Sequence, residues 1–274
     1  MRTSTRAGLF RGLTTVGLSV ACLGLVNLSA QTARANLTIM PTYDSSITSD
    51  PNATAIESGI QAAINVVQAN IGNNLTIAIQ YGETTSGLAS TSASSSSVSL
   101  TDYKLALATQ HLSANDVIAD ATLPATSGGI MLTRPLLRAL GFAAGSGGGF
   151  DGTTQLNTSI MNLTRTSVNP AKSDLQAAVE HEIDEVLGIG GKGSLVGSGI
   201  PFEVGPLDFY RYISPTTRSF DTSSSIAPYF SIDGGVTGLV HFNQAFGADY
   251  GDWGNGKIPA DLNGNAPPQV QDAF

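Results

Sequence analysis

The sequence predicts an α+β domain: a mixed sheet backed by one long helix, a second helix able to carry a metal, and an irregular C-terminal half. Three observations predict it. Ile56, Ile60, Ala63, Ile64, Val67 and Ile71 form a helical stripe closed by Gly72, and Leu75, Ile77, Ile79 and Tyr81 alternate directly afterwards. A second helical pattern is stopped by Gly188, Gly190 and Gly191. Beyond Gly191 the chain is rich in aromatic residues and loop formers, with no further long helical period.

Leu37 and Ile39 alternate within residues 36–43, a first strand. Ser49-Asp50-Pro51 joins a cap residue to a proline, which predicts a helix over 49–70. Residues 86–100 are serine-rich with little to bury and read as a flexible surface connection. A helix follows at 101–112, with Tyr103, Ala106, Leu107 and Gln110 on one side. A short strand is expected at 130–132 and a short helix at 135–140, closed by Gly141. The glycine run 145–149 lacks the strand and helix context of a phosphate loop and reads as a linker. Alternation at 158–163 predicts another strand.

In the second helix, 173–187, Ser173 and Gln176 form a capping-box pattern. Leu175, Val179, Ile183, Val186 and Leu187 make its apolar stripe, while Ala178, His181, Glu185 and Gly188 make another face. Residues 229–232 and 239–242 alternate about Asp233-Gly234-Gly235, a hairpin signal. The segment 249–253 and the Pro- and Asn-rich end read as ordered coil. No internal repeat is visible.

The N-terminus sets the compartment. Arg2, Arg6 and Arg11 precede an apolar run over 12–28, and Ala33-Arg34-Ala35 supplies a cleavage pattern. Residues 1–35 therefore read as a secretory signal peptide and 36–274 as one mature domain, extracellular or periplasmic. Ser, Thr and Asn weaken the apolar run, so no stable membrane insertion is expected after cleavage. Ser19 stands where a lipoprotein signal needs leucine, which argues against lipidation at Cys22. Cleavage would remove the only cysteine and four of the 13 basic residues while leaving all 21 acidic ones. A chain so acidic is a poor partner for nucleic acid or anionic membranes. Without a disulfide, its stability must come from the core and from any bound metal.

The chemistry concentrates in His181-Glu182-Ile183-Asp184-Glu185. This is the zincin helix H-E-x-x-H with glutamate in place of the second histidine. Ligands four residues apart share one helix face, and Glu182 occupies the place of the base that activates water. A carboxylate is an accepted zinc ligand, so the substitution preserves a metal site. The competing reading is a solvated helix face, but small residues flank the His181 and Glu185 pair. A third ligand three residues past the glycine would be Gly191, so that extension fails. Asp208 is the leading choice, since its loop can fold back; its alternative role is a cap or a partner for Arg211. His241 is the rival ligand, although it alternates with Val240 and Phe242 as strand histidines do. His111 reads as an ordinary surface residue. Tyr210 or Tyr212 is the candidate hydrogen-bond donor to an oxyanion. Asp249 and Asp252 read as turn caps, with cation binding the lesser alternative. Asp261, Asn263, Asn265 and Asp272 have an EF-hand-like spacing that fails at Ala266, where glycine is needed.

The chain resembles a family of secreted bacterial zincin-like metalloproteases whose motif is H-E-I-x-E-V, then leucine or methionine, then glycine. The matching residues are His181 to Gly188. The likeness extends to the segments 43–48, 206–212, 229–235, 251–253 and 271–274, and so to nearly the whole mature chain. The Asp208 and Tyr210 pair also resembles aspartate-ligand zincins, where an aspartate completes the site and a tyrosine faces the substrate. The resemblance implies a zincin-like fold and a metal-dependent peptidase acting on a protein or peptide substrate. The metal would be Zn2+ or another divalent ion. Two carboxylates in the ligand set imply weak Lewis acidity, hence slow turnover or a harder ion. The alternative from another class is a non-enzymatic secreted binding module on a degenerate zincin fold. Oligomeric state is left open.

Overall fold

The computed structural model describes residues 37–110, 113–124, 128–144, 149–199, 203–254 and 270–272. The expected signal peptide, His111, most of the 145–149 glycine run, and Asp261, Asn263 and Asn265 lie outside the described residues.

Strand β1 (Leu37–Tyr43) leads through a short helix α1 (Ser45–Thr48) to helix α2 (Ala53–Asn70) and strand β2 (Leu75–Glu83). The parallel pairing of β1 and β2 runs in register from Leu37↔Leu75 to Tyr43↔Tyr81. Leu37, Ile39, Ile77, Ile79 and Tyr81 are buried, whereas Thr38, Met40, Thr42 and Thr76 are exposed. The alternation in the sequence therefore marks a sheet with one covered face. On α2, Ile56, Ile60, Ala63, Ile64 and Val67 are buried. Burying each large side chain is worth about 1.5–3 kcal/mol, against about 1 kcal/mol for a cap. Packing decides the helix, and its Asn52 N-cap makes no side-chain hydrogen bond. The helix begins at Ala53 and not at Ser49, because Ser49 closes α1 and the Asp50 carboxylate accepts from Asn52 N in an intervening turn.

The serine-rich stretch is not a flexible connection. It forms strands β3 (Ala89–Ala93) and β4 (Ser95–Ser99). Main-chain ladders hold both; in β3, on an edge, Ser90 and Ser92 are exposed and only Thr91 is fully buried, against Thr154. Low hydrophobicity hid them. Helices α3 (Leu100–Ala108) and α4 (Ala114–Ala121), strand β5 (Gly129–Thr133), helix α5 (Arg134–Ala139) and strand β6 (Gly152–Leu156) follow. The principal sheet has the order β1-β2-β6-β3, with β3 alone antiparallel.

The strand expected at 158–163 is a 3-10 turn (Thr158–Ile160) followed by a two-residue strand β7 (Met161–Asn162), which pairs with β8 (Ser173–Asp174). Helix α6 (Leu175–Leu187) comes next. Its N-cap is Asp174, which accepts from Gln176 N and Ala177 N, and not the Ser173 of the capping-box pattern. Two glycines let α6 approach its neighbours. A side chain at Gly59 would meet Leu175 at 2.7 Å, and one at Gly152 would collide with Val186. Helices α2 and α6 and the covered face of the sheet thus share one apolar core.

Strand β9 (Glu203–Val204) adds to β5, and β10 (Arg211–Ser214), β11 (Thr217–Arg218), β12 (Tyr229–Phe230) and β13 (Val240–His241) form an antiparallel sheet in the order β11-β10-β12-β13. The expected hairpin is present, with Tyr229↔His241 and Phe230↔Val240 paired. The architecture is α+β, and the described residues form one compact unit. Among them, no helix is long and apolar enough to cross a membrane.

Candidate metal centre

Helix α6 buries its apolar stripe and carries His181 and Glu185 one turn apart on a face that is itself buried. Asp252 reaches the same place from the C-terminal region. Its backbone is fixed by Asn243 N donating to its carbonyl at 2.7 Å. His181 Nε2 lies 3.7 Å from Asp252 Oδ2. His181, Glu185 and Asp252 each present one ligand atom, all within 4.8 Å of one another. Small rotamer changes bring such a trio onto one ion, since zinc takes nitrogen and oxygen ligands at about 2.0–2.2 Å.

A second segment orients the imidazole. His181 Nδ1 is 3.0 Å from the Val270 carbonyl oxygen, which can only accept. Nδ1 therefore donates to it, which turns Nε2 toward the carboxylates. The floor is the glycine pair after the helix. A Cβ on Gly191 would lie 2.5 Å from Glu185 Oε1, and one on Gly190 would collide with the Gln271 carboxamide. Gly190 also has φ +62, so both its backbone and its neighbours exclude a side chain.

Electrostatics favour a cation here. Burial pushes the Glu185 carboxyl up to about 9, the Glu182 charge adding to it and Lys192 opposing. Burial also lifts Asp252 to about 6, against His181 and the Gln271 amide. Glu182 is raised by burial, opposed by the Thr91 hydroxyl and by His181, and its Oε2 is buried with no hydrogen-bond partner. Burial raises all three carboxyls, Glu182, Glu185 and Asp252, so their joint ionisation calls for further positive charge. A divalent ion would supply that charge.

Of the residues singled out in the sequence, the structure brings together His181 and Glu185, with Glu182 bordering them. It does not bring Asp208. That carboxylate accepts from Ser194 Oγ (2.5 Å), Leu195 N (2.8 Å) and Gly205 N (2.8 Å), pinning the loop ahead of the 3-10 turn Pro206–Tyr210. Its oxygens are committed to that loop, and the carboxylate that stands with His181 and Glu185 is that of Asp252. His241 is no substitute: it sits in the hairpin opposite Tyr229, its Nδ1 3.4 Å from Pro228 O. Tyr210 and Tyr212 are also placed elsewhere. Tyr210 packs edge-on to Phe230, its hydroxyl raised by burial and by Asp120 of α4. Tyr212 is buried beneath the Arg218 guanidinium. Arg211 donates to Tyr250 O and Gln244 Oε1 and stacks on Phe242.

Sequence reasoning ranked Asp252 as a turn cap first and a cation ligand second, and did not single out Gln271 as a neighbour of the site. The available signal was weak: an aspartate between glycine and tryptophan, which is also what a turn cap looks like. Comparison with protein-family models, with curated proteins and with solved structures gave no match.

Proposed function

We propose that this chain is a secreted metal-dependent peptidase whose ion, zinc or another divalent metal, is held by His181, Glu185 and Asp252, on a zincin-like fold. One observation carries the proposal: a buried His, Glu and Asp trio, with carboxylates in excess of cations, lies on the H-E-x-x-E helix. A bound ion would supply Lewis-acid polarisation and a nucleophilic water at neutral pH. Glu182 is the base. Burial raises its affinity for a proton, and Oε2 has no competing donor, so it can take a proton and return it to a leaving amine. The Val270 carbonyl keeps His181 in the tautomer that presents Nε2. Strand β3, on the edge of the sheet and packed against α6, suits an extended peptide added by main-chain hydrogen bonds. The substrate class is therefore a protein or peptide.

A second reading, a non-enzymatic module with a structural ion, draws on the closeness of residues 270–271 to the site, since structural zinc sites are closed. Glu182→Gln separates the two. It should leave metal content intact and lower peptide hydrolysis about a hundred-fold or more, since it removes a base and not a ligand. Metal analysis of the purified chain, with a peptide-cleavage screen with and without chelator, reads both quantities. Metal bound stoichiometrically with no chelator-sensitive cleavage in the wild type would leave the structural reading standing.

A further inference from the structure

We infer that Gln271 is the fourth ligand of this centre, through its side-chain oxygen, and that residues 270–272 close the site as the chain is folded. The inference rests on the reading of His181, Glu185 and Asp252 as a metal trio.

Three protein ligands leave a tetrahedral ion one position short. Gln271 is 4% exposed, and its Nε2 lies 2.8 Å from Asp252 Oδ1 and 3.4 Å from each ring nitrogen of His181. The carboxamide thus touches one ligand, the Asp252 carboxylate, and lies against the ring of another, within side-chain rotation of the shell. The other end of the amide has no partner: Oε1 is buried and accepts no hydrogen bond. A buried amide oxygen without a donor calls for an explanation, and a role as a metal ligand is one.

The orientation follows from charge. Two oxygens 2.8 Å apart repel, so without an ion the NH2 end must face Asp252. A bound ion would offer Oε1 the positive partner it lacks, and rotation about the side-chain bonds would present that oxygen to it. The resulting shell contains two carboxylates, one neutral imidazole and one neutral amide, which balances a divalent charge.

The strap is built to hold this pose. Trp253 N donates to Gln271 O at 2.9 Å, Trp253 and Asp272 form a β-bridge, and the Val270 carbonyl fixes His181. Gly190 leaves the space that the carboxamide fills. Since a glutamine carboxamide and a peptide bond are the same functional group, a substrate carbonyl must displace Gln271 to reach the ion. Displacement of the strap is then a step of every turnover, which slows cleavage by the folded chain without abolishing it.

Cobalt(II) loaded into the full chain tests this through its visible spectrum, which reports coordination. The wild-type spectrum should be unchanged by azide. Gln271→Asn, one methylene too short to reach, and Gln271→Ala should bind cobalt about ten-fold more weakly and give spectra that shift with azide. Gln271→Glu, which keeps an oxygen at full reach, should stay insensitive. A wild-type spectrum as azide-sensitive as the variants' overturns the inference while leaving the three-residue site intact. So do variants as insensitive as the wild type. If the wild type binds no cobalt, or if Glu185→Ala binds it equally well, the metal trio itself fails and the inference with it. The wild-type arm decides even where a variant does not fold.

Discussion

The two halves of this chain are held by different physics. Up to α6 the fold is a matter of apolar rows: Ile56, Ile60 and Ile64 of α2 face Ile77 and Ile79 of β2 and Ile183 of α6 in one core. Past α6 many of the buried groups are polar. Arg211, Asp208, Asn243, Gln244, Ser231 and Gln271 are all nearly inaccessible, and each is positioned by particular hydrogen bonds. Apolar packing tolerates exchange of one hydrophobe for another of like size, whereas a buried polar network depends on each member. The candidate centre joins the two. Helix α6 brings His181 and Glu185 with the rigidity of the first half, and Asp252 and Gln271 come from the second.

The largest effect should come from the first half. Ile60→Ala removes a fully buried side chain at the α2 and α6 packing and should cost about 3 kcal/mol, within the range for such cavities. Urea unfolding measures it. If the halves are held as described, the metal affinity of the folded variant stays at the wild-type value; a parallel loss of affinity would break the distinction.

Metal removal should act the other way round. An ion at a hundred times its Kd stabilises the native state by about 2.7 kcal/mol through linkage. Chelation should lower the Tm, and zinc should restore it. Hydrogen exchange should quicken first at residues 249–254 and 270–272, whose bonds to the site are specific and polar, and last in β2 and α2. Uniform loosening, or an unchanged melting curve in protein shown to be metal-free, would count against a centre that joins the halves.

A smaller effect separates backbone strain from crowding. Gly141 has φ +79 with nothing within 4 Å, so Gly141→Ala should cost about 1 kcal/mol from conformation alone. Gly190→Ala adds a collision with Gln271 and a 2.9 Å approach to Asp252 Oδ1. It should cost about 2 kcal/mol and weaken metal binding, which Gly141→Ala should not. Equal effects of the two would mean that Gly190 serves only as a turn.

Legibility in the sequence followed the same division. The α2 stripe, the β2 alternation and the stop at Gly188 were readable because burial writes a period into the chain, and so were His181 and Glu185, four apart on one helix. The hairpin about Asp233-Gly234-Gly235 was readable from its turn residues. The strands β3 and β4 were not, since backbone pairing leaves no trace when the side chains are serine. Asp208 misled because a buried aspartate that pins a loop and one that binds an ion look alike until its donors, Ser194, Leu195 and Gly205, are seen. Asp252 was ranked as a turn cap ahead of a cation ligand for the mirror-image reason. Contacts between residues far apart along an irregular stretch carry no local signature.

The smallest effect concerns an ion pair in the apolar half, the exception to its rule. Asp151 bridges strands and α5: Arg138 donates to both its oxygens, at 2.7 and 2.8 Å, and Ala78 N donates at 2.9 Å. Burial alone would raise this carboxyl, but the Arg138 and Ala78 hydrogen bonds and the Arg138 and Arg134 charges outweigh it, so the folded value lies below the ordinary 3.8. A depressed carboxylate contributes stability that is fully present above the unfolded value and lost as pH falls through the folded one. Since Arg138 is 31% exposed, solvent screening keeps the contribution to about 1 kcal/mol or less. Asp151→Asn should therefore be less stable than the wild type at about pH 6, and the gap should shrink toward zero in strong acid, where both carry a neutral side chain. A gap that persists unchanged at about pH 2 would mean that Asp151 acts through the shape of its hydrogen bonds and not through its charge. The first half would then hold a polar device of the kind that organises the second.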